Sequence, residues 1–162
     1  MVRRRCGQLL LSGLAGLLAC PNAWALLQSC SVSTAPVGFG IYNPLAPLPA
    51  TATGTVTVTC TVTLATFLES WTIALSQGNS GNFNSRSMLN GSSVLSYNLY
   101  TSAAYTSIWG DGSGSTALVS SPLTLLQVGN VSFNYPVYGV IPAGQDRAAG
   151  TFMDTITVTV NY

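Results

Sequence analysis

From Gly150 onward, apolar and polar residues alternate without a break. Phe152, Asp154, Ile156, Val158, Val160 and Tyr162 fall on one side of an extended chain, and Thr151, Met153, Thr155, Thr157, Thr159 and Asn161 on the other. A period of two in such residues predicts a strand. Its partners must come from earlier in the chain or from another chain. Thr55 to Leu64 repeats the pattern, with Val56, Val58, Cys60, Val62 and Leu64 opposite a row of threonines. Trp71 to Leu75, Val94 to Tyr100 and Val131 to Ile141 predict further strands, the last with a bulge or an edge position at Pro136. Weaker signals lie at Cys30 to Thr34, Ser85 to Asn90 and Leu118 to Val128, which Pro122 breaks. Pro36 to Pro44 reads as extended, and Pro44, Pro47 and Pro49 make the region an edge or a loop. Turns are marked by Ser76 to Asn84, Asn90-Gly91, Trp109 to Gly114 and Pro142 to Gly150. Beyond the N-terminal region no segment shows a capped helical period. Short strands with turns every eight to twelve residues or so predict an all-β sandwich or barrel.

The first 25 residues read differently. Arg3-Arg4-Arg5, the apolar run Leu9 to Ala19 and the small-x-small site Ala23-Trp24-Ala25 predict a signal peptide over 1–25, leaving one domain over 26–162. The apolar run is short for a membrane span, so stable membrane insertion is not expected. A rival cut before Cys20 would follow a poor lipoprotein-like sequence. Removing the leader takes three of the five arginines and leaves Arg86 and Arg147 against Glu69, Asp111, Asp146 and Asp154, a net charge of −2. There is no lysine and no histidine. Nucleic acid needs several phosphate-neutralising cations, which this chain does not carry.

Cys30 and Cys60 are the only cysteines after the leader, and in an oxidising compartment they are expected to form one disulfide. Cys60 lies on the apolar face of its strand, so the bridge would tie the first strand to this one inside the core. A metal or redox site is disfavoured, with no Cys-x-x-Cys and no histidine. General acid–base chemistry has only the carboxylates to draw on. Glu69 and Asp111 could form a glycosidase-like pair, but they read better as a solvated edge residue and a turn former. No enzyme activity and no cofactor are expected. A carbohydrate- or surface-binding reading rests on aromatics, of which Tyr105 and Trp109 flank a loop and are expected to be exposed, whereas Trp71 is expected in the core. An outer-membrane barrel is a remote alternative, given the prolines inside candidate strands.

Taken in order, Ser29-Cys30-Ser-Val, Phe39-Gly40 with Tyr42, Thr53-Gly54-Thr-Val-Thr-Val-Thr-Cys60 and Leu95-Ser-Tyr-Asn-Leu-Tyr100 form a recognisable series. Ile108-Trp-Gly-Asp-Gly112, Tyr138-Gly-Val-Ile-Pro-Ala-Gly-Gln145 and the terminal Gly150 to Tyr162 continue it. Over about residues 29 to 162 the chain resembles the spore coat U domain proteins, which include the pilins of archaic, Csu-type chaperone–usher systems. The resemblance implies an immunoglobulin-like β-sandwich lacking its last strand, with an apolar groove beside the C-terminal strand. It implies a periplasmic pilus chaperone, an usher and neighbouring pilin subunits as partners, and a place in a surface pilus acting in attachment and biofilm formation. Ile156, Val158 and Val160 would line one wall of the groove, and Val32 and Val37 the other. Cleavage after Ala25 leaves only Leu26 to Ser29 before Cys30, about 13 Å of extended chain at ~3.3 Å per residue. Either cleavage falls earlier and lengthens the arm, or the subunit accepts a strand without giving one.

Overall fold

The computed structural model describes residues 28–62, 66–68, 70–121, 124–126 and 128–161; the leader, Leu64, Glu69 and Tyr162 lie outside the described residues. Among the described residues ten strands follow in order: β1 (Gln28–Ala35), β2 (Ala50–Val62), β3 (Thr66–Leu68), β4 (Thr72–Leu75), β5 (Arg86–Asn90), β6 (Ser93–Tyr100), β7 (Val119–Ser120), β8 (Thr124–Leu126), β9 (Gly129–Ile141) and β10 (Val158–Asn161).

The Thr–Val alternation of β2 sets the frame. Val56, Val58 and Cys60 are at most 2% exposed, so one face of β2 is core. Its threonines face outward and bond across to β9: Thr57 Oγ1 donates to Asn134 Oδ1 at 2.8 Å, and Thr61 Oγ1 to Asn130 Oδ1 at 2.9 Å. β2 and β9 pair antiparallel along their whole length, from Ala50↔Ile141 to Val62↔Gly129. The larger sheet runs β1-β2-β9-β6-β5, a second runs β10-β4-β7, and β3 pairs with β8. Trp71, Ile73 and Leu75, all nearly or fully buried around β4, pack with the core residues of the larger sheet. The result is a sandwich of antiparallel sheets with open edges. A barrel would need one closed ring, and the described strands do not form one.

Cys30 and Cys60 stand directly opposite in the β1–β2 register and are joined by the expected disulfide, with Cα atoms 4.0 Å apart. Pro136 occupies a locally open flank, as the edge reading expects. It is paired with Thr55 inside β9, a strand that lies between β2 and β6 in the sheet order. The strand tolerates it because β6 pairs only with residues 138–140, so at Pro136 one flank alone is engaged.

The terminal segment is corrected. Burial alternates from Thr151 to Asn161, but only Val158–Asn161 is a strand. Met153 exchanges two backbone hydrogen bonds with Leu89 beside β5, at 2.8 and 3.0 Å, whereas Val158 to Asn161 pair with β4. The segment passes from one sheet to the other, and its described backbone partner changes from β5 to β4 along the way.

Pro36 to Pro44 carries no strand. After β1 the chain turns inward over the core face of β2 and β9. Two glycines permit the approach: a Cβ on Gly54 would lie 2.7 Å from Ala35 O, and one on Gly139 2.6 Å from Val37 Cγ1. Val37 and Phe39 are thereby packed against the core.

Candidate strand-acceptor groove

β1 pairs with β2 alone, and β10 with β4 alone, among the described residues. Between these two one-sided elements lies a cavity of about 330 Å³. Thr34 to Val37 and Phe39 form one wall, Phe152 to Asp154 with Ile156 and Val158 the other, and Val56, Leu75, Leu99 and Val137 belong to its lining. A second cavity of about 620 Å³ shares Val37, Phe39, Met88 and Phe152 with it and extends toward Arg147 and Ala148.

Of the five residues expected on a groove, Val37, Ile156 and Val158 line this cavity. Val160 is half-buried and packs on the core beside the cavity without lining it. Val32 lies outside the cavity, but its position is informative. It stands opposite Val58, which is 0% exposed, so it points to the core side of the sheet, yet it is 41% exposed. Opposite residues in an antiparallel pair share a face, so no described segment covers this end of β1. An inward-facing valine left open marks where the sandwich is incomplete.

Asp154 sits on the inward side of the terminal segment, in the cavity wall. Its Oδ1 accepts from the backbone N–H of Asn79 at 2.8 Å and of Thr155 at 2.7 Å. Its Oδ2 accepts from the Tyr97 hydroxyl at 2.7 Å. The carboxylate thus ties the terminal segment to β6 and to the turn after β4. Burial, reinforced by the bond to Asp154, pushes the Tyr97 hydroxyl pKa far above its ordinary value.

Behind Tyr97, its cross-strand partner Arg86 is wholly buried, which the sequence reading missed. Its guanidinium donates from Nε and Nη2 to Ser76 O at 3.0 and 2.8 Å. It also donates from Nη2 to Trp109 O at 2.7 Å and from Nη1 to Asn98 Oδ1 at 2.9 Å, and it lies 5.3 Å from the Phe83 ring centroid. Burial pulls its pKa down, and Tyr97 and Asp154 oppose that shift. The parity of Arg86 with Met88 on a short strand was the one sequence signal for it.

The expected aromatic contact surface does not form as read. Trp109 is 0% exposed, and its indole Nε1 donates to Ile73 O at 2.9 Å. It is core because the loop folds back: Leu75 N donates to Gly110 O, and Trp109 N to Leu99 O. Tyr105 is half-buried, edge-on to Tyr100 and Tyr138, with centroids 5.7 and 6.5 Å away. Asp111 is the turn former expected. Ser113 donates to its Oδ1 from both Oγ and N, and these bonds hold its carboxyl pKa below the usual value. Arg147 is exposed and donates to Val94 O at 2.6 Å. Among the described residues no three His, Cys, Asp or Glu side chains gather as a metal site would need.

A model of the Spore Coat Protein U domain matches residues 19–159. The chain belongs to that family. The match begins at residue 19, ahead of the expected domain start at residue 26. A family relative, Protein U of Myxococcus xanthus, is 30% identical over 146 residues, which cover 83% of this chain and 78% of that protein. The family fold recurs in a crystal structure of a chaperone–tip adhesion subunit pre-assembly complex from the archaic chaperone–usher Csu pili of Acinetobacter baumannii. There the TM-score is 0.56 at 23% identity, over 84% of this chain and 40% of that one. The Spore Coat Protein U chain thus spans well under half of the chain it resembles in that complex, and the shared feature is the immunoglobulin-like sandwich.

Proposed function

We propose that this protein is a subunit of a surface pilus assembled by the chaperone–usher pathway, and that its groove receives a β-strand from another chain. The observation that carries the reading is the cavity between the Thr34–Phe39 wall and the Phe152–Val158 wall, bordered by two strands with unpaired flanks. An apolar cleft beside free backbone donors and acceptors is what strand addition requires. Main-chain bonds supply affinity, and alternate side chains enter the cleft. Left open, the same features invite aggregation. A periplasmic chaperone would therefore fill the groove first, and a neighbouring subunit would replace it at the usher. Similarity to a fold found in a pilus pre-assembly complex supports this order of partners. The protein would reach the cell surface through the periplasm and act in attachment and biofilm formation as part of the fibre.

Val32, Val37, Ile156, Val158 and Val160 are the residues assigned to the incoming strand. The test is periplasmic expression with and without a co-expressed pilus chaperone. The expected result is soluble protein only as a one-to-one complex, and Val158→Asp should abolish that complex by setting an unpaired charge against an apolar wall. A soluble, cooperatively folding monomer produced with no partner would overturn the proposal.

A further inference from the structure

Among the residues lining the groove, Asp154 alone carries a carboxylate. Its inward neighbours Phe152, Ile156 and Val158 are apolar, so a simple alternation would have placed another aliphatic there. The carboxylate is held firmly but is not saturated. It accepts from Asn79 N, Thr155 N and the Tyr97 hydroxyl, whereas an ionised carboxylate offers about four acceptor positions. Gly78, at φ +66°, is pressed against the carboxylate so closely that a Cβ there would collide with Oδ2. That contact closes the side of the carboxylate next to the turn. The cavity side stays open, and the residue is only half-buried. The nearest buried cation does not neutralise it by contact, because the guanidinium bonds of Arg86 go to Ser76 O, Trp109 O and Asn98 Oδ1.

A strand seated along residues 152–160 would cover this carboxylate and remove its remaining water. An aliphatic side chain opposite would then leave a buried acceptor unpaired, and a hydrogen-bond donor would satisfy it. We propose that Asp154 is a specificity-determining residue of the groove: it selects an incoming strand with a hydrogen-bond-donating side chain at the inward position facing it and apolar residues at the others. The proposal rests on the strand-acceptor reading and adds to it the chemistry of the partner strand. An all-aliphatic strand, the commonest aggregation-prone sequence, would be disfavoured at that one position.

The test extends the full chain beyond Tyr162 by a flexible linker and about ten alternating Val and Thr residues. Each inward Val is then replaced in turn by Ser or by Lys, in the wild-type chain and in Asp154→Leu. Melting temperatures are compared among the extended chains, and soluble yield is compared with that of the unextended chain. In the wild type one inward position should prefer Ser or Lys over Val by about 5 °C, and Asp154→Leu should reverse the preference at that position. Ser and Lys both succeeding identifies a neutral donor as sufficient, whereas Lys alone succeeding identifies a cation requirement. Where Asp154→Leu does not fold, Asp154→Asn replaces it and should lose the Lys preference. If Val is best at every position in both backgrounds while the extension still stabilises, the specificity proposal is wrong and the acceptor reading stands. If no extension yields soluble, cooperatively melting protein, the acceptor reading itself fails.

Discussion

Replacing Arg86 with methionine keeps the length of the side chain and removes every bond its guanidinium makes. Ser76 O loses two donors, at 3.0 and 2.8 Å, and Trp109 O loses one at 2.7 Å. Asn98 Oδ1 loses Nη1 but keeps the backbone N–H of Leu99 at 2.9 Å. Two carbonyls are therefore stripped of these donors in a site that is 0% exposed at Arg86. Each buried acceptor left unsatisfied costs about 1–3 kcal/mol. Against this, the methionine buries apolar surface and no longer has to desolvate a charge, which offsets part of the loss. The net destabilisation should be about 2–4 kcal/mol. Arg86→Lys should not recover it, because one ammonium cannot reach three acceptors that a planar fork spans. The assay is urea unfolding of the strand-extended chain, followed by tryptophan fluorescence, with the midpoint falling and the slope unchanged. A loss below about 1 kcal/mol would refute the claim that this network holds β4, β5 and the Trp109 loop together.

The remaining predictions concern the groove and its frame. Tyr97 has its pKa raised in the folded state, so its contribution is complete below the unfolded tyrosine value near ~10 and is lost as pH rises above it; Tyr97→Phe should flatten the alkaline limb of a stability–pH curve, and an unchanged limb would contradict the burial argument. Gly139→Val should drive Val37 and Phe39 off the core face, where a Cβ already meets them at 2.6 and 2.7 Å, and should destabilise by about 2 kcal/mol or more; a melting temperature within error of wild type would show that the segment yields freely. Replacing Cys30 and Cys60 with serine opens a loop with a sequence separation of 30 and should cost roughly 3–4 kcal/mol in the chain-entropy model, read by urea unfolding; a loss under 1 kcal/mol would mean the β1–β2 register holds without the bridge.

The strands legible in the sequence are those whose alternation is long and one-sided. β2 and β9 carry the Thr–Val and Val–Phe–Tyr patterns, with β2 starting at Ala50 ahead of the expected Thr55, because a period of two has a single burial solution over so many residues. The terminal segment shows what alternation leaves open. It fixes which side chains face inward and says nothing about which strand is the neighbour, and here the neighbour changes from Leu89 to Leu75 along the segment. Trp109 in a Gly-rich loop reads as exposed, since only long-range bonds to Ile73 and Leu99 bring it inside. Arg86 gives no sign of its burial in the sequence, because a lone cation carries no periodic signal and its partners Ser76 O, Trp109 O and Asn98 Oδ1 lie 10 to 23 residues along the chain. Val37, Ile156 and Val158, expected from the resemblance on a groove wall, line the cavity, whereas Val32 and Val160 do not. Asp154 stood out as a charge on an apolar face, and its backbone partners explain how it is held there.

The central claim is that the flanks of Val32–Val37 and Phe152–Val160 await a strand from another chain. Backbone hydrogen–deuterium exchange, resolved by residue, compares the chain in complex with its periplasmic chaperone against the chain just after release. In the complex, amides of both segments should be slowed by orders of magnitude together, and both should exchange rapidly on release while β2 and β9 stay protected. Equal protection of these segments in the two states, or protection gained only elsewhere on the sandwich, would contradict the account.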